Sequence, residues 1–234
     1  MRLMGLALAT AATVVSPVVA YASSTLLPWR GLFDLGARDA AWWRVAHDEV
    51  ALTFDDGPEP ECSLRLLDTL NDAGVKATFF FLGGRARLRP DIVRRVAEAG
   101  HALGNHTFFH ETLVWRSDAF ITSTLQRTQS AIFDACGVCP RLVRPPFGRR
   151  DGTFYAVAQR LQLAPVFWSR DSFDWLRRNR AALAARLGNA RGGDIVLLHD
   201  RAAGASASAA SALREGMALL AERKLRMVSS WCRS

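Results

Sequence analysis

The sequence has no internal repeat of fixed period and no linker long enough to separate two domains. The first absence excludes a solenoid, whose repeats are visible as self-similarity along the chain, and the second favours a single domain. A length of 234 residues is sufficient for one sizeable hydrophobic core. Half of the residues are apolar and the mean hydropathy is +0.05, so the composition also excludes a largely disordered chain.

Cysteine is scarce, with four in the chain: Cys62, Cys136, Cys139 and Cys232. Cys136 and Cys139 have the spacing of half a zinc site, but no second cysteine pair or nearby histidine completes a set of four ligands. We therefore expect a small structural disulfide, with free thiols as the alternative. Four cysteines allow three connectivities, and their order along the chain does not choose among them.

Acidic residues are in deficit. There are 30 Lys and Arg against 22 Asp and Glu, and the isoelectric point is near 10.3. Such a charge attracts anionic matter, including nucleic acid, a membrane surface or an acidic wall polymer. The basic residues are scattered, however, and no interleaving of basic and aromatic residues indicates a nucleic-acid module. We expect no nucleic-acid partner and a mild attraction to anionic wall material.

Charge is absent from Leu3 to Ala22. Arg2 precedes this apolar segment, and Ala20-Tyr21-Ala22 has the small-x-small pattern of a cleavage site, so a secretory signal peptide is predicted. The alternative is an uncleaved membrane anchor, because about twenty residues are enough to cross a bilayer. Both interpretations predict export to the periplasm or the extracellular space, with membrane contact only through residues 3–22.

The sequence divides into three parts. Residues 1–22 are the predicted signal peptide or anchor, residues 23–49 are expected to form an irregular arm, and residues 50–234 the main domain. Nothing in the sequence indicates self-association, so we expect a monomer.

The most informative segment is Val50–Pro58, which reads Val-Ala-Leu-Thr-Phe-Asp-Asp-Gly-Pro. A short β-prone run leads into Asp55 and Asp56 and is ended by the Gly-Pro pair, so both acids are expected at the carboxyl end of a strand. Neighbouring side chains of a strand point to opposite faces, yet a turn at the strand end can bring both carboxylates towards one cation. One acid would then bind the ion and the other could transfer protons.

His106 and His110 supply a second set of metal ligands. Two imidazoles four residues apart would lie on one side of a helical turn and reach one ion. With one Asp they make three ligands and leave a fourth position for water, which is the open arrangement of a catalytic zinc site. Two surface imidazoles on a loop are the alternative reading of this pair.

Strands and helices are predicted to alternate about seven times, which indicates an α/β fold with a parallel sheet. Six polar residues follow directly after predicted strands: Asp55, Asp56, His106, Arg144, Asp174 and His199. Catalytic residues gather at this rim of a β/α barrel, each from a different strand. We therefore expect a seven-stranded (β/α) barrel, with an open doubly wound sheet as the alternative. Residues 166–168 are predicted to be a strand, and the segment from Ala202 to Ala212 a flexible loop.

Five motifs together resemble the polysaccharide deacetylases of carbohydrate esterase family 4, the NodB homology domain. In chain order they are Thr53-Phe54-Asp55-Asp56-Gly57-Pro58, His106-Thr107-Phe108-Phe109-His110, Arg144-Pro145-Pro146-Phe147-Gly148, Asp171-Ser172-Phe173-Asp174-Trp175 and Leu197-Leu198-His199. The sequence departs from the family at Phe147, where Tyr is frequent. The resemblance implies a distorted barrel in which residues 50–234 form the catalytic domain, and hydrolysis of the acetamide of an N-acetylated sugar.

The resemblance also assigns roles at the first three motifs. Asp56, His106 and His110 would hold a divalent metal ion, with zinc expected first. Asp55 would be the general base that takes a proton from water. Arg144 is similar to the arginine that orients this carboxylate, a task suited to a planar two-pronged donor.

The last motifs complete the implied site. His199 would be the general acid and Asp174 its partner. The backbone N–H of Phe147 would meet the charge that develops on the carbonyl oxygen. Trp175 and Leu197 would line the pocket of the acetyl methyl group, although core packing explains these two almost as well.

Two alternatives to a polymer deacetylase stay open. The chain could act on a lipid-linked or small N-acyl sugar, which a membrane anchor would favour, whereas an open groove would favour an N-acetylated polysaccharide such as peptidoglycan or a chitin-like glycan. A non-catalytic carbohydrate-binding barrel is the other alternative. It is disfavoured because the acids and histidines of all the motifs are present.

Overall fold

The computed structural model describes residues 41–175 and 180–229. The predicted signal peptide or anchor and most of the predicted arm lie outside these residues, as does Cys232. The last part of the arm packs against the domain, where Trp42 pairs with Val166 and Arg44 with Asp194. Among the described residues, no helix combines the length and the apolar character needed to cross a bilayer.

The fold is built on a parallel sheet. Its strands are β1 (Glu49–Asp55), β2 (Thr78–Phe81), β3 (Ala102–Asn105), β4 (Leu142–Val143), β5 (Ala164–Pro165), β6 (Arg170–Asp171), β7 (Ile195–His199) and β8 (Arg226–Val228). Seven strands follow the order β5-β4-β3-β2-β1-β7-β6, and β8 pairs with the beginning of β1. All of these pairings are parallel.

The sheet curls until its two edges are joined by one segment of chain. Residues 164–171 begin beside β4 as β5 and end beside β7 as β6. The prediction of a distorted, seven-stranded (β/α) barrel is therefore confirmed. The predicted strand at residues 166–168 is wrong, because this part of the segment crosses from one neighbour to the other. Val166 donates to the Val143 carbonyl, and Phe167 to that of Trp42.

Helices cover the outer face of the sheet. They are α1 (Pro60–Asp72), α2 (Gly83–Leu88), α3 (Pro90–Glu98), α4 (Asp118–Cys136), α5 (Gly152–Arg160), α6 (Arg180–Gly188), α7 (Asp200–Ala203) and α8 (Ala207–Glu222). The prediction of a flexible loop from Ala202 to Ala212 is wrong, since most of that segment is helical. The Ser206 side chain caps α8 by accepting from the Ala209 N–H, and alanine, the best helix former, follows.

Side chains along β1 point alternately to the two faces of the sheet, so they enter two different parts of the core. Val50, Leu52 and Phe54 pack towards the helices, while Ala51 packs in a smaller cluster inside the barrel. Thr53 and Asp55 share the face of Ala51 because side chains two apart point the same way. β1 thereby delivers an acid into the barrel interior, at the rim where the strands end.

The described cysteines form no disulfide. Cys62, Cys136 and Cys139 are free thiols, so the expected small bridge between neighbouring cysteines is wrong. The Cys136 thiol donates instead to the Ile132 carbonyl one helical turn earlier.

Candidate active site

Asp55 and Asp56 lie at the end of β1, and both carboxylates face the same imidazole. Asp55 Oδ2 is 3.7 Å from His106 Nε2, and Asp56 Oδ1 is 3.4 Å from the same nitrogen. In a continuing strand the two side chains would point to opposite faces. The φ of Asp56 is +71°, and this left-handed turn is what brings the second acid back to the ring.

The two histidines are held by a loop and not by a helical turn, so the helical spacing argument for this pair is wrong. Thr107 and His110 both have positive φ. Three successive backbone N–H groups are satisfied by side chains instead of by helical carbonyls: Thr107 by Asn105, Phe108 by Thr124 and Phe109 by Glu111. Such side-chain bonds compete with helix formation. The loop still places the imidazole centroids 5.1 Å apart.

Three ligand atoms converge on one point. Asp56 Oδ1 lies 3.4 Å from His106 Nε2 and 3.3 Å from His110 Nε2. Asp56, His106 and His110 form the only group among the described residues whose His, Cys, Asp or Glu ligand atoms are arranged to hold a metal ion.

The donors of this cluster fit a cation. The Nδ1 of His106 is 2.7 Å from the Arg144 carbonyl, which only accepts, so Nδ1 carries the proton and Nε2 of the neutral ring offers a lone pair. Asp56 Oδ1 is buried and has no hydrogen-bond partner in the described structure. The lone pairs of these ligand atoms face one another with no proton between them. A metal ion can bind at such a point because it accepts all of the lone pairs. A backbone partner on the outer nitrogen is also usual for metal-binding histidines.

Electrostatics in the cluster favour positive charge at its centre. Burial opposes ionisation of Asp56, but His106, His110 and His199 together lower the pKa of this carboxyl. Burial likewise opposes a charged His106, yet Asp55 and Asp56 raise its pKa. Burial and the neighbouring His106 lower the pKa of His110, so its imidazole is kept neutral, as a metal ligand must be.

Arg144 is fully buried and holds Asp55 from the side opposite the histidines. Its Nη1 donates to Asp55 Oδ1 and to Thr53 Oγ1, both at 2.8 Å. Nε and Nη2 donate to the carbonyls of Val166 and Phe167. The guanidinium also stacks over the Phe80 ring, 4.2 Å from its centroid. A buried cation with this many partners has one orientation.

His199 and Asp174 form a second pair across the cleft. His199 Nδ1 lies 2.8 Å from Asp174 Oδ1, and the His199 backbone N–H donates to Asp174 Oδ2 at 2.7 Å. Burial alone would lower the pKa of His199, but the hydrogen bond and the charge of Asp174 raise it to about 9. The imidazole is therefore a cation at neutral pH, with Nε2 as its second donor.

The remaining predicted residues lie at different depths. Trp175 is 59 % exposed and lines a cleft of about 920 Å³ together with Asp56, Asp174 and His199. Phe147 is 56 % exposed, and its ring meets the His110 ring edge to face at 4.6 Å. Leu197 is buried in the cluster inside the barrel, which corresponds to the core-packing alternative.

Sequence reasoning missed the residues that support the site. Asn105 fixes the histidine loop through both ends of its amide, and Glu111 bonds the Phe109 N–H and Thr124. Thr53 connects Arg144 to the Val196 carbonyl. Asn105 directly precedes His106 and Glu111 directly follows His110, so their adjacency was the available signal. Thr53 lies within the first motif but carries no distinctive chemistry.

Comparison with known proteins agrees with this geometry. Residues 44–166 match the family model described as polysaccharide deacetylase. A chitooligosaccharide deacetylase of Rhizobium leguminosarum bv. trifolii is 41 % identical over 153 residues, which cover 64 % of this chain and 71 % of that protein. A peptidoglycan-N-acetylglucosamine deacetylase of Listeria monocytogenes is 40 % identical over 152 residues, covering 64 % of this chain. The match spans only about a third of that relative's length.

The same similarity is seen among solved structures. A peptidoglycan N-acetylglucosamine deacetylase in complex with 4-naphthalen-1-yl-N-oxidanyl-benzamide superposes with a TM-score of 0.78 at 32 % sequence identity. The superposition covers 84 % of this chain and 93 % of that one. The similarity therefore extends over most of this chain and nearly all of that one.

Proposed function

Because this chain belongs to the polysaccharide deacetylase family, we propose that it removes N-acetyl groups from an N-acetylated amino-sugar polysaccharide. The proposed substrates are peptidoglycan or a chitin-like glycan, and the products are acetate and a free amine on the sugar. The observation that carries the proposal is the convergence of Asp56, His106 and His110 beside a second acid, Asp55, that Arg144 holds in place.

We assign Asp56, His106 and His110 as the residues that would hold a divalent ion, zinc first. Two imidazole nitrogens and one carboxylate oxygen are ligands that catalytic zinc accepts while keeping an open position. When bound, zinc supplies a Lewis acid that polarises the acetyl carbonyl and lowers the pKa of water from 15.7 to about 7.

Asp55 is the proposed general base. Arg144 occupies its Oδ1, whereas Oδ2 faces the ligand cluster, 3.7 Å from His106 Nε2. Oδ2 is thus the atom placed to take a proton from the attacking water. The role of Arg144 is to fix the direction of this carboxylate, since three further hydrogen bonds hold the guanidinium to the barrel wall.

His199 is the proposed general acid. Its Nδ1 is held by Asp174, so the proton on Nε2 is the one available to the departing nitrogen. We further propose that the backbone N–H of Phe147 donates to the carbonyl oxygen as negative charge develops there. A backbone donor explains why Phe in place of the frequent Tyr is compatible with activity. We propose that Trp175, which is exposed in the cleft, contacts the acetyl methyl group.

The pH dependence of kcat/KM tests the acid. Because the general acid must carry a proton, activity is expected to fall as pH rises through the pKa of His199, which is about 9. In Asp174→Asn the charge that raises this pKa is lost, so the alkaline limb should move down by roughly two pH units, towards the ordinary value of 6.5. The exposed Asp118→Asn provides a control that leaves the limb unchanged. Identical limbs in wild type and Asp174→Asn would reject His199 as the acid.

We propose that the substrate is an extended glycan and not a small sugar. Trp175 is exposed in the cleft, and two further exposed aromatic side chains, Phe147 and Trp115, belong to the loops near the histidines, with the Phe147 ring against that of His110. The Trp115 N–H donates to Asp151 Oδ2, which fixes its loop beside the turn that carries Phe147. Rigid amphipathic rings of this kind give contact area at low entropic cost, which favours an oligomer.

Acetate release from defined glycans tests the activity. We expect turnover of chitin oligomers, peptidoglycan or another acetylated glycan, complete loss after chelation, and recovery when zinc is restored. A panel that includes N-acetylglucosamine itself separates an oligomer-specific enzyme from one that accepts a small sugar. Acetate release undiminished by chelation would exclude the metal role. Binding of the same glycans without any acetate release would indicate the carbohydrate-binding alternative.

We also propose that the protein acts outside the cytoplasm, where peptidoglycan and chitin-like glycans occur. The support is the uncharged segment at residues 3–22 with its small-x-small pattern. Fractionation of cells expressing the full chain tests this, and recovery of the protein in the cytosolic fraction would contradict it.

A further inference from the structure

Arg85 contacts the metal-binding turn from outside the proposed site. It lies on α2, and its Nη1 donates to the backbone carbonyl of Asp56 at 3.0 Å and to Glu59 Oε2 at 2.8 Å. We propose that Arg85 is a positioning residue that holds Asp56 in the backbone conformation required for metal binding. The inference rests on the proposed function in one respect, the assignment of Asp56 as a ligand.

Asp56 needs such support because its backbone is left-handed, with φ of +71°. This conformation is unfavourable for residues that carry a Cβ. If Asp56 returned to extended backbone, its side chain would turn away from the face that Asp55 occupies, and the three ligand atoms would no longer converge. A hydrogen bond to the carbonyl of Asp56 opposes this rotation, because the direction of that carbonyl follows the backbone.

The turn is also fixed on its far side, so the contact of Arg85 has a rigid anchor. The Glu59 N–H donates to Ser63 Oγ at 2.7 Å, and Ser63 Oγ lies 2.8 and 2.9 Å from the two carboxyl oxygens of Asp200. Asp200 is fully buried and directly follows His199. A continuous series of contacts therefore runs from the carbonyl of Asp56 through Arg85, Glu59 and Ser63 to Asp200, the first residue after β7.

Close packing at Gly57 leaves the turn little freedom. A Cβ built at Gly57 would clash with Asp200 Oδ2 and with the Phe81 ring, so any larger residue would force these buried side chains to move. The turn is thus held by Asp200 beneath and by Arg85 outside. Of these two, the Arg85 contact can be removed without opening the core, because its side chain is about one third exposed.

The same helical region offers a matched control. Arg89 lies one helical turn further along and donates to Asp91 through Nε at 3.0 Å and Nη2 at 2.8 Å. Both arginines are partly exposed and each pairs with one carboxylate. They differ in that only Arg85 contacts the backbone of Asp56. Charge loss and loss of an exposed ion pair are common to Arg85→Gln and Arg89→Gln, and these effects are small for exposed pairs.

Zinc affinity of the metal-free proteins tests the proposal, measured by competition with a chromophoric chelator. We expect Arg85→Gln to bind zinc about 10- to 100-fold more weakly than wild type, the usual effect of losing a residue that supports a ligand. Arg89→Gln should bind as wild type does. Arg85→Lys, which keeps a donor for the carbonyl, should recover part of the loss. Equal affinity in Arg85→Gln and Arg89→Gln would overturn the proposal.

Two further measurements keep the outcome decisive. Melting of the metal-free proteins shows whether the Gln variants are equally folded. If Arg85→Gln is not, Arg85→Met against Arg89→Met gives the same comparison, because methionine has similar length and no donor. Zinc binding and acetate release by the wild-type protein distinguish failure of the proposed function from failure of the role of Arg85. A wild-type protein that neither binds zinc nor releases acetate rejects the proposed function, whereas an active wild type with equal Gln variants rejects only the role of Arg85.

Discussion

Replacing Asp55 with asparagine is expected to lower kcat for acetate release by about a thousandfold while zinc stays bound. A general base contributes typically 10²- to 10⁴-fold, and asparagine keeps the shape of the side chain but cannot take up a proton. The ligand cluster does not need Asp55, since Asp56, His106 and His110 meet without it. Single-turnover acetate release and zinc content, measured on the same preparation, give both quantities.

Asp55→Asn also has a structural cost that the experiment must separate from the chemistry. Arg144 is fully buried, and the substitution removes its only carboxylate among the described residues. Removing one partner of a buried pair costs about 3 to 5 kcal/mol, so the melting temperature should fall. Retained zinc is the sign that the site is still folded. The exposed Asp118→Asn is the control for carboxylate loss.

The division of roles between the two acids can be contradicted directly. We predict that Asp56→Asn loses zinc affinity, whereas Asp55→Asn retains it. If Asp55→Asn lost the metal and Asp56→Asn kept it, the roles assigned to the two carboxylates would be reversed. If Asp55→Asn retained both metal and turnover, no base would be assigned at all.

Replacing His110 with alanine is expected to remove the metal and, with it, activity. Only two ligands would be left, and the lost imidazole opens the cluster to the cleft, since its side chain is already 28 % exposed. After dialysis the variant should retain less than about a tenth of the wild-type zinc, because two protein ligands hold the ion far more weakly than three. Elemental analysis of zinc per chain is the measurement.

His110→Ala is expected to fold, which makes the result interpretable. The ring contacts of His110 are with His106 and Phe147, and it has no role in the apolar core. His47→Ala removes an exposed imidazole outside the site and serves as the control. Wild-type zinc content in His110→Ala would exclude this residue as a ligand.

The sequence was most informative where chemistry and strand ends coincide. Asp55 and His199 were both predicted at strand ends, and they are paired neighbours in the register of β1 and β7. The barrel followed from the alternation of strands and helices. Apolar runs and Gly-Pro stops are local signals that can be read directly from the sequence. Once the strands are known to be parallel, their carboxyl ends lie at one rim, whatever the exact length of each strand.

Geometry set by tertiary contacts was not accessible from the sequence. The spacing of His106 and His110 is compatible with a helical turn, but Asn105, Thr124 and Glu111 bond the backbone of the loop in another conformation. Thr124 is 16 residues away from the N–H that it accepts from. The spacing of residues at the helical period of 3.6 cannot reveal a hydrogen bond from a residue so far along the chain.

The same limitation explains the errors in element boundaries. Residues 166–168 have the composition of a buried strand and are buried, but they cross between β4 and β7 because the barrel closes there. The Ala- and Ser-rich segment near Ser206 was interpreted as a loop from its composition, although alanine favours helix and serine favours the cap. Arg85 was missed because it is 29 residues away from Asp56.

The central claim is that one cation is held by Asp56, His106 and His110. Anomalous diffraction from a crystal of the wild-type protein grown with zinc, recorded on both sides of the zinc absorption edge, tests this most directly. We expect one strong peak within about 2.2 Å of Asp56 Oδ1 and of the Nε2 atoms of both histidines. A zinc-loaded crystal with no peak between these three atoms, or with zinc only elsewhere on the chain, would contradict it.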